Sequence, residues 1–194
     1  MDHDAYPDDY VRRILKSVKT IALVGASNNP ARPSWIVTKY LSERGYDVIP
    51  INPGLAGQEI LGLKVYASLA EVPRPIDMVE IFRNSQAAGP ITDQALALEP
   101  PPTVIWMQLS VRNDEAAARA EAQGVEVVMN RCPKIEYGRL SSEISWLGVN
   151  SRTLSSKRAP LTGRGVQRMS LNRTTSSGGA TAAAERAAKD SDSR

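Results

Sequence analysis

The chain of 194 residues contains one cysteine, one histidine and one phenylalanine. A single cysteine excludes an internal disulfide framework. One cysteine and one histidine cannot make a tetrahedral metal set. The histidine is His3, in a polar terminus, so the body of the chain holds no Ser/His/Asp set and no Cys/His pair. No apolar run is long enough to cross a bilayer, and the acidic start Met1-Asp2-His3-Asp4 is the reverse of a signal peptide. A cytoplasmic protein with no membrane partner is therefore expected. Hydrophobic residues make up 42% of the chain and aromatics 5%, so the expected core is sizeable and aliphatic.

A basic excess is also missing where it would matter. The net charge of +3 divides unevenly: residues 1–149 carry 15 Lys/Arg against 18 Asp/Glu, and residues 150–194 carry 9 against 3. The body therefore has no charge that argues for nucleic acid. The basic end lacks the interleaved aromatics that stack bases. It is rich in Ser, Thr, Ala, Arg and Gly, and too poor in large apolar groups to offset its ordering entropy. Two regions are expected: a globular domain over 1–150 and a disordered tail over 151–194, with at most a transient helix at 182–189.

What is present is a repeated strand–helix pattern. Residues 8–18 place Val11, Ile14, Leu15 and Val18 at helical spacing. Residues 20–25 then read as a strand ending at Gly25. A loop with Pro30 and Pro33 follows, then a helix stopping at Gly45, then a second strand, about 46–51. Further strands are expected at 76–82, 103–109 and 125–129, with helices near 87–98 and from 113 to 124 and a short one after Pro133. A long connection, 52–75, should hold a short helix near 68–72. Pro90 suits only the first turn of its helix. Strands of this apolar continuity are buried on both faces. The pattern predicts an α/β fold: a Rossmann-like, doubly wound parallel sheet of about five strands.

Ligands of such folds sit outside the carboxyl ends of the strands. After the first strand, Gly25 permits close backbone approach, Ser27 and Asn28 offer donors, and the following helix offers unpaired N–H groups. Arg32 adds a charge. The same glycine also suits a tight turn with no ligand. The dinucleotide fingerprint is absent: there is no G-x-G-x-x-G, and the second strand ends in Asn52-Pro53 rather than an acidic residue. There is no Walker lysine either. An NAD(P)-binding redox or sensor protein is thus the alternative reading.

Taken together, VGAS-x-x-P-x-RPS from Val24, VIPINP from Val48, Phe82-Arg83, VIWMQL from Val104 and Val128-Met129-Asn130-Arg131-Cys132-Pro133-Lys134-Ile135-Glu136 resemble the small bacterial CoA-binding proteins. Their domain is similar to the nucleotide-binding part of the succinyl-CoA synthetase alpha subunit. The resemblance covers roughly residues 10–148 and implies a protein that binds coenzyme A or an acyl-CoA. It implies that Gly25, Ala26, Ser27 and Pro30 line the pyrophosphate, and that Asn52 and Pro53 face the adenosine. Phe82 and Arg83 would lie beside the ligand. Trp106, Met107 and Gln108 would line the path toward pantetheine, and Arg131 and Cys132 would close the far side. The ligase passes a phosphoryl group through a histidine, and none lies within this domain. Asn130 stands where an acidic residue is often found. The expected function is CoA binding without evident catalytic machinery, with a protein partner unspecified.

Cys132 admits two readings. Beside Arg131, Lys134 and a helix start, its thiol would be shifted toward thiolate. Otherwise it is a small, buried packing residue.

Overall fold

The computed structural model describes residues 1–141. The tail expected over 151–194, its transient helix and the 146–148 end of the family resemblance lie outside the described residues.

Helix α1 (Asp8–Ser17) carries Asp8 and Asp9 in its first turn and Lys16 in its last, each suited to the helix dipole. It buries Val11, Ile14 and Leu15, the face expected from their spacing. There follow β1 (Thr20–Val24), α2 (Pro33–Glu43) and β2 (Asp47–Ile51). The connection 52–75 contains a small antiparallel hairpin, β3 (Glu59–Ile60) and β4 (Leu63–Lys64), that the pattern did not indicate. Leu61 and Gly62 turn it with φ of 56° and 75°. Consecutive positive φ values make a hairpin turn, but leucine is not one of the residues that announce it. The short helix expected near 68–72 is a single 3₁₀ turn, Leu69–Glu71.

Next come β5 (Met78–Ile81), α3 (Ser85–Leu96), β6 (Val104–Met107), α4 (Asp114–Ala122), β7 (Glu126–Val128) and α5 (Pro133–Leu140). Helix α3 starts two residues earlier than its expected range, because Asn84 Oδ1 accepts the N–H of Ala87 and caps it there. Pro90 therefore lies inside the helix rather than in its first turn.

The five long strands form one parallel sheet in the order β2-β1-β5-β6-β7. This is the Rossmann-like α/β fold the sequence predicts. Alternate side chains serve two cores. Ile21, Leu23, Met78, Val104, Trp106 and Val128 pack with residues of α1, α2 and α5. Ala22, Val79, Ile81, Ile105, Met107 and Val127 pack with α3 and α4. Ala88, Ala95, Ala116, Ala117 and Ala120 keep that second layer close.

Two tyrosines cover the outer edge of β7, which would otherwise expose unpaired backbone groups. Tyr6 Oη accepts the N–H of Met129 at 2.8 Å, and Tyr10 Oη donates to the carbonyl of Val127 at 3.3 Å. The two rings stack 6.0 Å apart. Tyr6→Phe leaves the N–H of buried Met129 without a partner and is expected to cost about 1–3 kcal/mol. Tyr10→Phe should cost less, because its hydrogen bond is longer. Urea denaturation of the two variants checks the order; equal stability of both with the parent would remove the tyrosines from the edge.

Candidate functional site

Strands β1 and β5 are neighbours whose chains leave the sheet toward opposite faces, β1 to α2 and β5 to α3. That is the topological switch point, where a crevice opens above the strand ends. Gly25 occupies it with φ 95°. A Cβ built there would lie 3.1 Å from Arg83 Cδ and 3.2 Å from the Phe82 carbonyl oxygen. The Arg83 stem therefore lies directly over this glycine.

The loop that follows is held by its own groups. The N–H groups of Gly25 and Ala26 donate to the Ile51 carbonyl, Ser27 Oγ accepts from Asn29 N–H, and Asn29 Oδ1 accepts from Ala31 N–H. Ala26 is buried, and Pro30 is exposed. Arg32 is the residue before α2, Pro33 is its first residue, and no side chain caps that helix end. Asn52 makes one hydrogen bond at each end of its amide: Nδ2 donates to the Ala26 carbonyl at 2.7 Å, and Oδ1 accepts from Gly54 N–H. It ties the end of β2 to the loop after β1.

Two cavities flank the switch point, and Arg83 borders both. One, of about 440 Å³, lies on the α3 side, lined by Gly25, Asn52, Pro53 and Ser68 among others. The other, of about 630 Å³, lies between α2 and α5, lined by Ile36, Phe82, Gln108, Leu109, Cys132 and Ile135 among others. Arg32 and Arg83 have no carboxylate partner among the described residues. By contrast, Arg112, Arg119, Arg131 and Arg139 all pair with Asp or Glu.

The structure gathers Gly25, Asn52, Pro53, Phe82, Arg83, Gln108 and Cys132 along this edge but separates three expected wall residues from it. Trp106 and Met107 are 0% exposed, packed on opposite faces of the sheet. Trp106 Nε1 donates to the Arg131 carbonyl at 2.8 Å, so it fixes the turn after β7 from below. The reason is register: both lie within β6, and only Gln108 extends past its end. Arg131 turns away, with its guanidinium over the Tyr6 ring and donating to the Asn130 carbonyl.

One residue of consequence carried no role in the sequence reading. Glu80, in the middle of β5, is 0% exposed. Its Oε1 accepts from Gln108 Nε2 at 3.0 Å, and its Oε2 has no partner among the described residues. Burial holds its carboxyl well above the usual carboxylate range, against a smaller opposing effect of the Gln108 bond. Glu80 is thus a carboxyl that resists ionisation, placed behind Gln108. The signal was visible as a glutamate inside the apolar run Ile76–Phe82.

The thiol of Cys132 also departs from the thiolate expectation. It is 6% exposed, and burial raises its pKa. The N–H groups of Ile135 and Lys134 oppose this without outweighing it. The helix start does favour thiolate, but desolvation outweighs it.

Glu80 should impose a pH dependence. Between its unfolded and folded pKa values the folded state holds one more proton than the unfolded state, so stability falls as pH rises. Glu80→Gln keeps the shape and removes the titration. Relative to the parent, the variant should gain about 1.4 kcal/mol per pH unit above the normal glutamate range. Denaturation of both proteins from pH 5 to 7 checks this; parallel stability curves would show that Glu80 titrates normally.

The chain is similar to proteins from bacteria and archaea. YneT of Bacillus subtilis is 36% identical over 127 residues, which is 66% of this chain and 91% of YneT. A solved structure of a protein from Pyrococcus horikoshii OT3 is 40% identical, with a TM-score of 0.66 over 71% of this chain and 94% of that one. The alpha subunit of acetate–CoA ligase (ADP-forming) II from Pyrococcus furiosus is 39% identical over 62 residues, spanning 31% of this chain and 13% of that subunit. No helix among the described residues is long and apolar enough to cross a membrane. The family model for the CoA binding domain matches residues 19–138, and with that match over most of its length the chain belongs to the CoA-binding domain family.

Proposed function

We propose that this protein binds coenzyme A across the carboxyl edge of its sheet, as a module that senses, buffers or presents the coenzyme rather than transforming it. The observation that carries this reading is the pair of cavities meeting at Arg83, a cation with no carboxylate partner among the described residues. CoA has a polar nucleotide end and a long pantetheine arm joined by a pyrophosphate. The cavity beside Asn52 and Pro53 suits the adenosine. Arg83 and Arg32, with the uncapped start of α2, suit the pyrophosphate. The larger cavity beside Phe82 and Gln108 suits the arm. The residues thus fit the coenzyme by charge and by shape.

The NAD(P) reading finds no comparable support. Asn52 stands where an acidic residue would hold the ribose, and its amide ties the end of β2 to the loop after β1.

Calorimetry with CoA, NAD and ATP on the same preparation tests the proposal. CoA is expected to bind with micromolar affinity, about −8 kcal/mol, and NAD and ATP at least about tenfold more weakly. Arg83→Gln should weaken CoA binding by about 10- to 100-fold, the range for a lost charged hydrogen bond. Gly25→Val is a poorer probe, because φ of 95° and the nearby Phe82 carbonyl would strain the fold as well as fill the site. NAD binding as tightly as CoA, or an Arg83→Gln protein with unchanged CoA affinity, would overturn the assignment.

A further inference from the structure

The larger cavity is more apolar than a free thiol requires. Among the described residues, four large hydrophobic side chains are exposed, and two of them, Ile36 at 41% and Leu109 at 46%, border this one cavity. They come from different elements, α2 and the segment after β6. Ile135 of α5 also lines the cavity. Apolar groups from three elements around a cleft make a surface that gains from being covered.

The base of the same cavity carries an oriented donor. Gln108 Oε1 accepts the N–H of Leu109 at 2.9 Å, and Gln108 Nε2 donates to Glu80 Oε1 at 3.0 Å. The Leu109 contact fixes which end of the amide is oxygen, since the reverse orientation would set two donors against each other. One N–H of Nε2 is taken by Glu80. The amide also hydrogen-bonds the Cys132 sulfur, a weak acceptor that a stronger one can displace. Glu80, with Oε2 unpartnered and the whole side chain buried, has no other evident purpose within β5 than to hold this amide.

We propose that this cavity receives the acyl group of a CoA thioester, with the aliphatic chain against Ile36, Leu109 and Ile135 and the thioester carbonyl accepting from Gln108, which Glu80 holds in position. The inference rests on the coenzyme A reading above and narrows it: the ligand is an aliphatic acyl-CoA in preference to free CoA. The site is continuous with the nucleotide cavity through Arg83, which lines both. Glu80 acts through Gln108 and is a positioning residue.

The test is calorimetry on the full chain with four ligands: CoA, acetyl-CoA, butyryl-CoA and the thioether S-butyl-CoA, which keeps the chain but lacks the carbonyl. Each methylene added to the acyl chain is expected to tighten binding by about fourfold. Butyryl-CoA should then bind at least about tenfold tighter than acetyl-CoA, and tighter than S-butyl-CoA. Ile36→Asp and Leu109→Asp, both at exposed positions, should abolish the preference for the longer chain, read as the ratio of butyryl-CoA to acetyl-CoA affinity within each variant. Gln108→Met should erase the difference between butyryl-CoA and S-butyl-CoA without erasing the chain-length preference. Glu80→Gln, which can still accept from Gln108, should retain both preferences.

The outcomes separate this proposal from the one beneath it. If CoA binds and butyryl-CoA binds no better, the acyl site is wrong and the coenzyme reading stands. If neither CoA nor any thioester binds, both are wrong. If Ile36→Asp or Leu109→Asp instead changes the sedimenting mass of the protein and leaves chain preference intact, the apolar rim is a contact between copies of the chain, and the acyl assignment is overturned.

Discussion

At the ends of β1 and β5 the backbone of one strand meets the backbone of the next. Phe82 N–H donates to the Val24 carbonyl at 2.8 Å, and no side chain fits at Gly25 without pressing on the Phe82 carbonyl. The ligand edge depends on that approach. It lays the Arg83 stem over the glycine, which places one arginine where both cavities can share it. It also orders the loop before α2, whose N–H groups are tied back to the end of β2. A parallel sheet buried on both faces offers solvent little but its strand ends. The chemistry of this protein is therefore confined to a handful of residues that extend just past them.

Below that edge, burial decides the character of the side chains. Glu80 and Cys132 both ionise in water at high enough pH, and burial raises the pKa of each. The cost of charging a carboxyl in so dry a place exceeds what one amide hydrogen bond returns. The base of the larger cavity consequently presents neutral, directional groups rather than charge. Positive charge is held at the rim, on Arg32, Arg83 and Lys134, where water can still reach it. A ligand with an anionic middle and an uncharged end matches that division.

The fold was legible because its strands are short apolar runs between clear helix signals, and β1, α2 and β2 carry the most distinctive of them. Elements without such signals were not legible. The hairpin turns at Leu61, which has no turn chemistry, and α3 begins at a cap that the proline inside it obscured. Within the candidate site, Gly25 came from the strand–loop pattern, and Phe82 and Gln108 came only through the family resemblance; all three lie just past strand ends. The resemblance grouped Trp106 and Met107 with Gln108, but only a register, fixed by pairing with β5 and β7, tells which residue emerges from the sheet. Arg131 and Cys132 depended on competition between neighbours: an aromatic ring of the N-terminal segment draws one away, and desolvation outweighs the helix start for the other. Sequence spacing does not contain those balances.

The tyrosines on β7 also have a temporal meaning. Tyr6 bonds to Met129 across 123 positions of sequence. During synthesis the N-terminal segment emerges first, yet its hydrogen-bonding partner is among the last parts of the domain to appear. So distant a contact carries a large loop-closure cost, which falls as the intervening chain becomes compact. The aromatic rings of the N-terminal segment have no dock until β7, the last strand among the described residues, has been made. The seal on the sheet edge thus links the first described segment of the chain to the last strand described, a latch between distant parts of one sequence.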